Sequence, residues 1–164
     1  MTSGVTVGVI GYGQFSPYFI ELFRAHPNTR EVRVAELDPD RRAEAQRRHW
    51  LKGVYADGFE MIKEGQVDAV AIFTARHLHF PFAKAALLAG KDVYSAVPAA
   101  VSTEKLGGLA QLVRSTGQVY ILGEPQATIR NFSTASDASR RATMAGSSIL
   151  KGSTITHSTP AMAP

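Results

Sequence analysis

The run Val5-Thr6-Val7-Gly8-Val9-Ile10-Gly11-Tyr12-Gly13-Gln14-Phe15-Ser16 constrains this chain more than any other stretch. Its first half is rich in Val and Ile, the composition of a strand covered on both faces, and it then breaks into glycines. An apolar helical pattern follows at once: Phe15, Phe19, Leu22, Phe23 and His26 share one face, and Pro17 sits near the first turn, where its missing N–H costs little. Strand, glycine turn and helix in that order build the mouth of a dinucleotide site. Gly11 permits the tight turn, Gly13 lets the main chain approach a pyrophosphate, and free N–H groups at the start of the next helix face that anion. The Gly-x-Gly-x-x-Gly pattern ends here in Ser16, a small residue in the place of a third glycine. Such a motif also fits an ordinary glycine turn, and what separates the two readings is Asp38. It closes a second apolar strand (Val32, Val34, Ala35, Leu37) at the spacing expected of an acid that bonds a ribose diol.

With 164 residues, 45% of them hydrophobic, the chain can bury one real core. No stretch approaches the roughly 20 apolar residues of a membrane span, and the N-terminus shows no export signal, so a soluble cytoplasmic protein is expected. The absence of cysteine excludes a disulfide framework, a thiolate metal site and a cysteine nucleophile. The net charge of +4 is uneven: residues 1–125 carry 14 basic and 13 acidic side chains, residues 126–164 carry 4 and 1. The body is therefore nearly neutral. Its densest basic cluster, Arg41, Arg42, Arg47 and Arg48, falls on a helix beside Glu44 and reads as a solvated face, so no nucleic-acid partner is expected.

Beyond Asp38 the pattern alternates. Pro39 opens a helix reaching about Trp50, with Ala43 and Trp50 available for burial; Val54-Tyr55 is a short strand; Asp57 and Glu60 frame the start of a helix carrying Phe59, Met61 and Ile62 and ending at Gly65. Val67 to Phe73 is a buried strand, His79 to Leu88 a helix, and Asp92-Val93-Tyr94 another strand. Ser102 or Thr103 caps a helix whose stripe is Leu106, Leu109, Leu112 and Val113, closed by Gly117, and Val119 to Leu122 is the last strand. Six strands with helical crossovers predict an α/β fold, a Rossmann-type, doubly wound parallel sheet. Ligands of such sheets bind beyond the carboxyl ends of the strands. Phosphates then lie over Gly11, Tyr12, Gly13, Gln14 and Phe15, Asp38 takes the ribose, and Thr74, His79, Ser95 and Pro98 line the nicotinamide end. An acid at Asp38 favours NAD, while Arg41 and Arg42 leave NADP open. His77 and His79 stand two apart with no third ligand nearby, so no metal is expected.

The pieces Val9-Ile10-Gly11-Tyr12-Gly13, Val34-Ala35-Glu36-Leu37-Asp38-Pro39-Asp40, Val67-Asp68-Ala69-Val70 and Ala85-Ala86-Leu87-Leu88-Ala89-Gly90-Lys91 together resemble the N-terminal domain of the glucose-fructose oxidoreductase, inositol dehydrogenase and MocA-like family, across roughly residues 4–126. That resemblance implies an NAD(P)-dependent oxidoreductase of sugars, cyclitols or related polyols, with a second, sheet-rich domain holding most of the substrate site. Where the family shows Glu-Lys-Pro after the fifth strand, this chain reads Ser95-Ala96-Val97-Pro98. Valine neither gives nor takes a proton, so the family's lysine role does not transfer to Val97 and no catalytic residue is assigned.

Residues 1–126 form the expected dinucleotide domain. Residues 127–164 lose all periodicity and are dominated by Ser, Thr and Ala, the composition of a disordered tail, and the family's second domain has no counterpart there. Read one frame over, a codon choice for Gly152 through His157 spells Glu-Tyr-Tyr-His, which resembles a strand of that second domain and points to a frameshifted remnant. Losing the second domain exposes apolar surface, so self-association is expected. Two other functions stay open: a non-catalytic nucleotide-sensing or partner-binding module, and an S-adenosylmethionine-dependent enzyme on the same fold.

Overall fold

A computed structural model of the chain describes residues 4–64 and 66–123. Gly65 and residues 127–164, for which a helix end and a tail are expected, lie outside the described residues. Six strands form one parallel sheet: β1 (Val5–Ile10), β2 (Thr29–Ala35), β3 (Val54–Tyr55), β4 (Ala69–Ile72), β5 (Asp92–Ala96) and β6 (Tyr120–Gly123), in the order β3-β2-β1-β4-β5-β6. The chain winds outward from β1 in one direction and, after β3, crosses back to β4 and continues in the other. Ile10 pairs with Ala35 on one side and Ile72 on the other, so the crevice where the order reverses opens directly above the end of β1.

Helices cover both faces, which is why β1 and β4 read as continuous apolar runs. Ile20 of α1 (Ser16–Ala25) and Ala45 of α2 (Pro39–His49) pack with Val7, Val9, Val32, Val34 and Ala71. On the other face Met61 and Ile62 of α3 (Gly58–Lys63), Phe82, Ala83, Ala86 and Leu87 of α4 (Arg76–Leu88), and Leu109 of α5 (Thr103–Thr116) pack with Ile10, Val70, Ile72 and Val93. Caps sit where the sequence places them: Asp57 accepts the N–H of Phe59 at 2.9 Å, and Ser102 that of Lys105 at 3.3 Å.

Several expectations shift. β2 stops at Ala35, and Leu37 is 84% exposed because the chain is already turning toward α2. On α2 the buried positions are Ala45 and His49, four apart, whereas Ala43 is exposed and Trp50 lies 83% exposed in a left-handed conformation (φ 51°) that ends the helix. On α1 Phe19 is buried as expected and Ile20 joins it, while His26, just past the helix, is exposed. α4 begins at Arg76 rather than His79, with Pro81 inside it, and Leu106 faces solvent.

Candidate functional site

Gly11 turns the chain out of β1 at φ 91°, and a Cβ there would lie 2.8 Å from the Phe73 carbonyl oxygen. The loop therefore runs tight against the end of β4, as only glycine allows. A Cβ on Gly13, by contrast, would meet nothing within 4 Å. Ser16 does more than replace a glycine. Fully buried, its hydroxyl donates to the Gly11 carbonyl at 2.6 Å and accepts the Gly13 N–H at 3.2 Å, closing the loop on itself. The Tyr12 N–H is also held, by the Glu36 carboxylate at 2.6 Å. Among the amides left without an acceptor in the described residues are those of Gln14 and Phe15, at the head of a helix whose Phe15 supplies no side-chain cap.

Two acids near the end of β2 have separate tasks. Asp38 caps α2: its carboxylate accepts the N–H groups of Asp40 at 2.9 Å and Arg41 at 3.1 Å, and these bonds, Arg41's first, hold its carboxyl below the usual range. It does not line the cleft beside the loop. Glu36 does, one residue past β2, its two oxygens fixed by the N–H groups of Tyr12 and Asp38 (3.0 Å). Pro39 at the first helical position was the available sequence signal, because a residue before such a proline is a cap.

The cleft has a volume of about 500 Å³ and runs between Gly11, Tyr12, Gly13, Glu36, Leu37 and Arg41 on one side and Phe73, Thr74, Ala75, Leu78 and Phe82 on the other. It lies beyond the carboxyl ends of β1, β2 and β4. Of the residues expected at its far end, Thr74 lines it; His79 is buried and reaches it only through Thr74, and neither Ser95, also buried, nor Pro98 is on its wall. The His79 ring is wedged between two carbonyl oxygens, Nε2 lying 2.9 Å from that of Thr74 and Nδ1 2.8 Å from that of Pro98; whichever nitrogen carries the proton donates to its carbonyl, and the ring bridges the loop after β4 and the loop after β5. Ser95, wholly buried, donates to the Ala96 carbonyl at 3.0 Å. The Val97–Pro98 peptide is cis, and Val97 is 45% exposed. Among the described residues no group of three potential metal ligands comes together, and no helix is long and apolar enough to cross a membrane.

The arrangement offers, around one loop, an acceptor carboxylate, an open glycine step and unpaired amides at a helix head. These residues fit a pyrophosphate-linked dinucleotide: Gly13 leaves room where a side chain would intrude, and Glu36 is pre-set for a vicinal diol. The fold and the cleft thus define a dinucleotide-binding domain. Residues 5–124 match the glucose-fructose oxidoreductase, inositol dehydrogenase and MocA oxidoreductase family in its NAD-binding Rossmann fold, and the chain belongs to that family.

A glycosyl hydrolase family 109 protein of Streptomyces filamentosus is 34% identical over 123 residues, covering 70% of this chain and 25% of the relative. The chain thus spans about a quarter of that relative's length. Among solved structures, the biliverdin reductase of Synechocystis sp. PCC 6803, in complex with biliverdin and NADP+, superposes with a TM-score of 0.69 at 27% identity over 72% of this chain and 37% of that one. The scyllo-inositol dehydrogenase of Lactobacillus casei, with NAD(H) and scyllo-inositol bound, has the same fold, with a TM-score of 0.70 at 19% identity over 84% of this chain and 40% of that one.

Proposed function

We propose that this chain holds the NAD(P) of an oxidoreductase that acts on a sugar or polyol. The observation that carries the assignment is Glu36, whose carboxylate lines the cleft with both oxygens already oriented by main-chain N–H groups. Its remaining lone pairs accept the two hydroxyls of the adenosine ribose, the part first assigned to Asp38. The Gln14 and Phe15 amides and the α1 head take the pyrophosphate, with Gly13 beneath it. Leu37 and Arg41 flank the adenine side, and Thr74 lies toward the nicotinamide. His79, Ser95 and Pro98 shape that end indirectly. When bound, the nicotinamide supplies hydride transfer and the protein supplies position.

A carboxylate at Glu36 repels a phosphate on the ribose, so NAD is preferred; Arg41, on the cleft wall, keeps NADP within reach. The substrate class rests on the family. Val97 carries no proton, so binding without efficient turnover is the expected behaviour of this chain by itself. The setting is the cytoplasm, where pyridine dinucleotides are available. Titration with NADH, followed by cofactor fluorescence, and thermal shifts with NADH, NADPH and S-adenosylmethionine test the reading. NADH should stabilise most and S-adenosylmethionine not at all. Stabilisation by S-adenosylmethionine alone would overturn it.

A further inference from the structure

His49 is wholly buried at the last position of α2, and the dinucleotide cleft does not include it. A buried imidazole costs free energy unless both nitrogens are bonded, and here both are. Nδ1 meets the Glu21 carboxylate of α1 at 2.5 Å, and Nε2 meets the Tyr12 hydroxyl at 3.1 Å. A carboxylate is an acceptor, so the Nδ1 that meets Glu21 carries a proton, and in that tautomer Nε2 accepts the phenol's. Tyr12 is 4% exposed, with its ring edge-on to His49 at 5.8 Å between centroids, and burial pushes its phenol up, keeping it a donor.

The consequence lies in the main chain. Tyr12 stands between Gly11 and Gly13, where the backbone is least constrained by its own side chains, and its N–H is the donor that orients Glu36. One unbroken series of contacts therefore runs Glu21, His49, Tyr12, Glu36, from the cofactor helix across the end of α2 to the ribose acid. An apolar residue at position 49 could fill the same volume without fixing where Tyr12 sits.

We propose that His49 is a positioning residue for the dinucleotide: acting through Tyr12, it sets the spacing between the Glu36 carboxylate and the open amides of Gln14 and Phe15. This rests on the NAD(P) assignment above, and the two are separable by experiment. The test uses the full 164-residue chain as wild type, Tyr12→Phe, His49→Asn, His49→Gln and the Tyr12→Phe/His49→Asn double variant. Asparagine keeps a donor near Nδ1 and loses the reach to Tyr12; glutamine keeps a polar group near Nε2.

NADH affinity should fall about three- to tenfold in Tyr12→Phe and in His49→Asn, the double variant should be no worse than the weaker single one, and His49→Gln should recover part of the loss. Without any cofactor, hydrogen exchange at the bonded loop amides of Tyr12 and Gly13 should quicken in Tyr12→Phe and His49→Asn while β4 and β5 amides stay protected. The proposal is overturned if exchange in that loop is unchanged, or if melting temperature falls while NADH affinity does not, or if the two losses multiply. Failure of wild type to bind NADH would refute the NAD(P) assignment instead, and the loop exchange would still decide whether His49 fixes Tyr12. Tyr12→Phe removes a single oxygen, so it carries the test if substitution of His49 prevents folding.

Discussion

Glu36 and Asp38 are two residues apart and chemically near-equivalent, yet one caps a helix and the other faces the cleft, so exchanging each in turn separates stability from binding. Glu36→Ala should weaken NADH by about tenfold or more, the worth of a charge-assisted bond pair, beyond any fall in melting temperature from the Tyr12 and Asp38 N–H groups it leaves unpaired. Asp38→Ala should do the reverse: lower melting temperature, near-normal affinity. Because the folded-state Asp38 carboxyl titrates below its unfolded value, its contribution is present above the ordinary carboxylate range and fades as pH falls below it; an acid unfolding series of wild type against Asp38→Ala should converge at low pH. The two loop glycines form a second matched pair. Gly11→Ala forces a side chain into φ 91° and against the Phe73 carbonyl and should cost about 2 kcal/mol or more of stability. Gly13→Ala meets no protein atom, so the fold should persist while NADH affinity drops, as calorimetry on both variants would report.

At the scale of elements, the order of strands and helices was legible because each carries its own period and punctuation: Val-rich runs for β1 and β4, Pro17 and Pro39 at helix starts, Gly117 past the end of α5. Boundaries were less so. Leu37 looks like strand, but Asp38 captures two N–H groups and starts the turn early, a local side-chain bond outweighing apolar pattern. The roles of His49 and His79 were illegible for a different reason: each meets atoms on another element, and no periodicity encodes that, while Ser16 stands where the pattern expects a glycine and reads only as a small residue. Their effects should match their reach. Ser16→Ala strands a buried carbonyl and an amide in one loop and should cost about 1–3 kcal/mol, measured by urea unfolding. His79→Leu removes the ring that bridges the Thr74 and Pro98 carbonyls and should loosen both loops, visible as faster exchange in each.

For the molecule as a whole, the six-stranded order places β3 and β6 at the edges and the cleft at its centre, the arrangement of a dinucleotide-binding domain. Leu122, Val101, Val97 and Leu106 leave apolar surface exposed on and near the β5 and β6 side. Self-association through this region is the expected outcome at micromolar concentration, and a monomeric elution profile in sizing chromatography would count against it. The cleft's chemistry, however, stands or falls on a single binding event. Isothermal titration of the purified chain with NADH should give saturable heat that Glu36→Ala weakens and Asp38→Ala leaves intact; no heat from wild type with either the reduced or the oxidised coenzyme would contradict the account.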